Sequence, residues 1–188
     1  MFLPACKDQD PAAENAARDK AAKTAAAPLP KPESKLDAAA TDELVKLRDA
    51  YYALKDALVA TDAAATDAGA SRLLSAAELL RYRLRSAKDP AQNSLVAQLD
   101  SVMTGSEQIV ALTSDSALVK KRQLFYPLSE TMYRLLSDAG LRQATVYRQH
   151  CPMAFDNNGG YWLSSSPEIR NPYFGNQMLE CGEVTDSL

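Results

Sequence analysis

Two short stretches near the C-terminal end of this chain concentrate residues with soft donor atoms. One reads His150-Cys151-Pro152-Met153 and the other Met178-Leu179-Glu180-Cys181. His150 is the chain's single histidine, and Cys151 and Cys181 are two of its three cysteines. Thiolate and thioether sulfur together favour Cu(I), because zinc takes Cys and His readily but Met seldom. Pro152 biases Cys151 toward extended backbone, where residues two apart share a face, so Cys151 and Met153 are expected to present their sulfurs together. Met178 and Cys181 are three apart and share a face if that stretch forms a helical turn. His150 faces away from Cys151 on such a strand, which leaves it either a further ligand or a packing residue. The same cysteines, thirty positions apart, also suit a disulfide. In an oxidising compartment it would contribute ~3–4 kcal/mol by constraining the unfolded chain. A disulfide does not account for a methionine near each cysteine, although methionine in apolar packing needs no account. On the residues alone both readings stay open.

Other chemistries find little support. The formal net charge of −3 argues against a nucleic-acid partner, since phosphate binding needs a basic face. Catalysis is not expected either. Adjacent His150 and Cys151 face apart in an extended chain, no orienting partner is visible, and the Cys-x-x-Cys of thiol redox enzymes is absent. No run approaches the ~18 apolar residues of a membrane span.

The elements that must position the sulfurs are mostly helical. Thr41 is a candidate N-cap, followed by Leu44, Leu47, Tyr51, Leu54 and Leu58 at alternating three and four spacings. Thr61-Asp62 signals the next start, and Leu73, Ala77, Leu80 and Leu84 form a second stripe. Asp89-Pro90 places a capping residue before a proline at the first helical position. Leu95, Leu99, Val102, Ser106 and Ile109 follow, with Gly105 a soft point. Ser114-Asp115 opens a fourth helix whose inward residues are Leu118, Phe125, Leu128, Met132 and Leu135. Pro127 is expected to kink it and Gly140 to cap it in the left-handed conformation. Met103 and Met132 read as core filler, and Arg81, Arg83 and Arg85 as a solvated face. Beyond Gly140, Thr145-Val146-Tyr147 and Tyr161-Trp162-Leu163 are β-prone and flank the turn Asp156-Asn157-Asn158-Gly159-Gly160. The fold class expected is therefore mainly α: an up-down-up-down four-helix bundle with a turn-rich C-terminal segment containing a short β-hairpin.

The other end has a different texture. Leu3-Pro4-Ala5-Cys6 has the outline of a bacterial lipobox, which makes Cys6 a lipidation candidate, although only Met1 and Phe2 precede it. Residues 1–36 are rich in Ala, Lys, Asp, Glu and Pro and hold almost nothing that could enter a core, so they read as an extended tether. Residues 37–188 then form one domain.

A resemblance adds context. The segment Tyr51-Tyr-Ala-Leu-Lys-Asp-Ala-Leu-Val59 and, more specifically, His150-Cys-Pro-Met-Ala154, Tyr161-Trp-Leu-Ser164, Ile169-Arg-Asn-Pro-Tyr-Phe-Gly175, Met178-Leu179 and Cys181-Gly-Glu-Val184 resemble a bacterial family of unknown function. Its domain occurs alone in periplasmic proteins and lipoproteins, and resembles the C-terminal domain of some membrane-fusion subunits of copper/silver efflux pumps. The resemblance spans about residues 41–184. It implies a periplasmic or outer-membrane-tethered protein that handles Cu(I) or Ag(I) alongside efflux-pump components. Cys151, Met153, Met178 and Cys181 stand at the matching positions, and membrane attachment would come only through Cys6. The alternative is a disulfide-stapled interaction domain that docks through Tyr161, Trp162, Tyr173 and Phe174.

Overall fold

A computed structural model describes residues 31–113 and 117–188. Four long helices come first: α1 (Ala38–Val59), α2 (Ala63–Ala87), α3 (Asn93–Ala111) and α4 (Ala117–Ala139). Each packs against its neighbour in sequence, and α1 also touches α4. A three-stranded antiparallel sheet closes the chain, with β1 (Tyr147–Cys151) between β2 (Gly160–Ser164) and β3 (Glu183–Ser187). The protein is thus mainly helical with a small C-terminal sheet, and the expected hairpin is β1–β2. Among the described residues no helix is long and apolar enough to cross a membrane.

The helix starts follow capping chemistry, with one correction. Asp37, not Thr41, caps α1, its carboxylate accepting from the Ala40 N–H at 2.8 Å. Thr41 lies inside the first turn, buried, with its hydroxyl bonded to Ser34 Oγ at 2.7 Å. Asp62 caps α2 as expected, accepting from Ala65 N–H. Asp89 caps a 3-10 turn, Pro90–Gln92, that leads into α3. Ser114-Asp115 lies outside the described residues, as do Cys6 and the tether up to residue 30. Glu33, read as part of that tether, pairs backbone to backbone with Arg142, and Lys35 N–H donates to Ala139 C=O, so residues 33–35 pack on the end of α4. Gly140 takes φ +66°, the left-handed cap that ends α4.

The apolar stripes all turn inward. Leu44, Leu47, Tyr51, Leu54, Leu58, Leu73, Ala77, Leu80, Leu99, Val102, Ile109, Phe125 and Met132 are essentially inaccessible, while Leu118 is only partly buried. The alanine-rich first helices approach closely: a Cβ on Gly69 of α2 would lie 2.9 Å from Leu54 Cα of α1. Gly105 is also a contact, since a Cβ there would meet Leu128 Cδ1 of α4 at 3.3 Å. Arg81 and Arg85 do more than face solvent: both bond to Asp100 of α3, tying α2 to its neighbour.

Tyr51 links helices to sheet from within the core. Tyr51 stacks on Phe125 with ring centroids 5.2 Å apart. Its hydroxyl shares a 2.8 Å hydrogen bond with Ser129 of α4 and accepts from the Leu163 N–H of β2 at 3.0 Å. Trp162, fully buried, and Tyr173 continue this aromatic core into the tail, their rings edge to face.

Candidate functional site

Strand β1 delivers Cys151 to the interior, where it is fully buried at the last position of the strand. Cys181 arrives from the other side, just before β3, and is only partly buried. The two sulfurs lie 2.7 Å apart. Burial comes first, then the hydrogen bond and charge of Cys151; together they push the Cys181 thiol up to about 11, with the Met153 backbone N–H acting weakly the other way.

The segment that brings Cys181 here is organised by Asn171, which is fully buried. Its N–H donates to Leu179 C=O and its side-chain amide to Cys181 C=O, while its Oδ1 accepts from the Tyr173 N–H. The Cys181 N–H returns to Met178 C=O at 3.2 Å, closing the turn expected over Met178–Cys181. Gly182 then lets the chain pass tightly over the sheet: at φ +148°, a Cβ there would sit 2.8 Å from His150 O and 2.9 Å from Trp162.

Met153 corrects one step of the sequence reasoning. The strand ends at Cys151, and Met153 has helical dihedrals, φ −86° and ψ −8°, so the two-residue strand period does not place it beside Cys151. The turn carries it to the groove instead. Met153 and Met178 line the same surface groove of about 490 Å³, together with Arg122, Phe155, Tyr173 and Phe174. The groove and the thiols adjoin through the backbone, because Met178 C=O holds the Cys181 N–H.

The floor of the groove includes a left-handed turn. Phe155, Asp156 and Asn157 have φ of 55°, 57° and 66°, a conformation that costs ~1–2 kcal/mol per non-glycine residue. It is held by the Gly159 N–H to Ala154 C=O bond and by the Phe155 ring against Tyr126 and Tyr173. His150 takes no part: its ring stacks on Tyr161 at 4.3 Å, on the strand face opposite Cys151. Tyr161 in turn carries the Arg148 guanidinium at 4.0 Å, and Arg148 bonds both oxygens of Glu130.

Arg122 and Asn171 are the site residues that sequence reasoning missed. Arg122 on α4 is half-buried, and burial lowers its pKa without discharging it. Its Nε donates to Pro172 C=O, and its Nη2 to Leu58 C=O and Thr61 Oγ1. Only the quoted Arg-Asn-Pro-Tyr-Phe-Gly run hinted at Asn171; nothing marked Arg122.

Among the described residues no three His, Cys, Asp or Glu side chains gather closely enough to hold a metal ion.

Neither curated proteins nor solved structures yield a match to the chain. The model of a family described as "Protein of unknown function (DUF3347)" matches residues 47–144, which runs from α1 through α4 and stops short of β1, Met153, Met178 and both thiols. With half the chain matched, this protein belongs to the DUF3347 family of proteins of unknown function.

Proposed function

We propose that this protein is a periplasmic carrier of Cu(I), or Ag(I), in which Cys151 and Cys181 grip the ion and Met153 and Met178 complete its coordination from the groove. The observation that carries the reading is the meeting of the two thiols beside a groove lined by both methionines. With metal–sulfur bonds of about 2.3 Å, an ion between the two thiolates needs the sulfurs further apart than they stand. Rotation of the partly exposed Cys181 side chain supplies that movement while Cys151 stays fixed in the core. A site of thiolates and thioethers binds tightly yet exchanges ligands one at a time, which suits transfer to or from efflux-pump components. The four helices, read as an up-down-up-down bundle, serve as scaffold, and Cys6 as the lipid attachment point. No catalytic role is part of this proposal.

A Cu(I) competition titration on reduced protein tests it. Wild type is expected to bind one ion, Cys151→Ser to lose it and Met178→Leu to weaken it. Affinity of wild type no higher than that of Cys151→Ser would overturn the reading. The close approach of the sulfurs also favours a second reading, a covalent staple, since a disulfide needs only about 2.05 Å. A mass measurement on protein alkylated during anaerobic purification separates the two. Full blocking of Cys151 and Cys181 is expected for the carrier, and a quantitative Cys151–Cys181 bond for the staple.

A further inference from the structure

Resting on the carrier reading, we propose that the groove receives the ion as a small anionic complex, and that Arg122 recognises a carboxylate of the carrier. Arg122 forms no ion pair among the described residues, and its three hydrogen bonds use Nε and Nη2, leaving Nη1 without a protein partner there. Those bonds go to two carbonyls and a hydroxyl, so the guanidinium is held in place while its charge stays uncompensated. A fixed, half-buried cation with a spare N–H is a carboxylate site. It lines the same groove as Met153 and Met178, so a bound carboxylate would bring an attached thiolate-held ion to the thioethers for ligand exchange. The volume, about 490 Å³, lies in the range of small-ligand pockets and suits a carrier of tripeptide size. Amides of Gln123, Gln177 and Asn157 add polar contacts, and the Asp156 carboxylate, exposed at the rim, disfavours a carrier carrying charge on that side.

The test compares the rate of Cu(I) transfer to reduced full-length protein from two carriers: the Cu(I)–glutathione complex, which bears carboxylates, and Cu(I) in acetonitrile, which bears none. Arg122→Gln is expected to slow loading from glutathione about tenfold, the low end of electrostatic steering, and to slow acetonitrile-borne loading far less. Arg122→Lys is expected to recover part of the rate. An Arg122→Gln variant that slows both carriers alike, or neither, overturns the proposal. Because Arg122 also braces Leu58, Thr61 and Pro172, the wild type supplies an independent measurement. Excess S-methylglutathione, which keeps the carboxylates and brings no metal, is expected to slow transfer from glutathione and not from acetonitrile, and equal insensitivity overturns the proposal. A wild type that takes Cu(I) from neither source would sink the carrier reading itself.

Discussion

Removing the Tyr51 hydroxyl should weaken the tie between sheet and helices at a predictable cost. Tyr51→Phe keeps the ring, its burial and its stack on Phe125, so no cavity forms. What disappears is the acceptor for the buried Leu163 N–H and the partner of Ser129 Oγ. An orphaned buried donor costs ~1–3 kcal/mol. Ser129 loses less, because it still donates to Phe125 C=O at 2.8 Å. Together these give roughly 2–3 kcal/mol, a fall in Tm of roughly 5–10 °C for a chain of this length. Tyr52 provides the control: its hydroxyl is buried without a hydrogen-bond partner, so Tyr52→Phe should be neutral or stabilising. Urea unfolding of both variants, with the m-value held to wild type, measures the difference. Faster amide exchange at Leu163 in Tyr51→Phe alone would locate it. Equal losses in the two variants would refute the assignment of Tyr51 as a link between helices and sheet.

Further outcomes follow from other contacts. Gly69→Ala should destabilise by ~1–3 kcal/mol in thermal melts, because overpacking against the Leu54 backbone outweighs the gain in helix propensity. Asn171→Ala strands the Tyr173 N–H and frees the Cys181 carbonyl, so Cu(I) affinity should drop about tenfold or more for a loss of ~1–3 kcal/mol in holding the turn. The raised Cys181 thiol must lose its proton to bind a metal, so Cu(I) affinity should climb with pH, about tenfold per unit for each proton released, and level off near the thiol's pKa of about 11. Competition titrations at successive pH values check this, and a flat profile would contradict it. The same shift makes the fold lose stability as pH rises from the ordinary thiol range toward 11, since the unfolded thiol ionises first.

Periodicity made the helical core legible because burial on one face leaves a three-and-four spacing of large apolar residues, and Leu44 through Leu58 are buried as that spacing requires. Caps were less certain: Asp37 and Thr41 are both competent, and the choice depends on where the chain docks against α4. Strand β3 carried no signal, since all five of its residues are exposed and it is held by backbone pairing to β1. The juxtaposition of Cys151 and Cys181 was foreseeable, because both readings of the pair, shared metal ligands and a disulfide, bring the sulfurs together. The path of Met153 was not, because the turn at Pro152 and Met153 ends the strand two residues earlier than the period-two argument assumed. Arg122 acts through partners distant in sequence, at 64 residues from Leu58, so no local pattern could reveal it. The partners of Asn171 lie within ten residues, and its bond to the Tyr173 N–H is a local turn that an Asn-Pro pair can signal.

X-ray absorption at the copper edge, on reduced protein loaded with Cu(I), asks whether thiols and thioethers share one ion. An all-sulfur shell that loses neighbours in the Met153→Leu, Met178→Leu double variant is the expected result. A shell containing nitrogen or oxygen, or one unchanged by that double substitution, would contradict it.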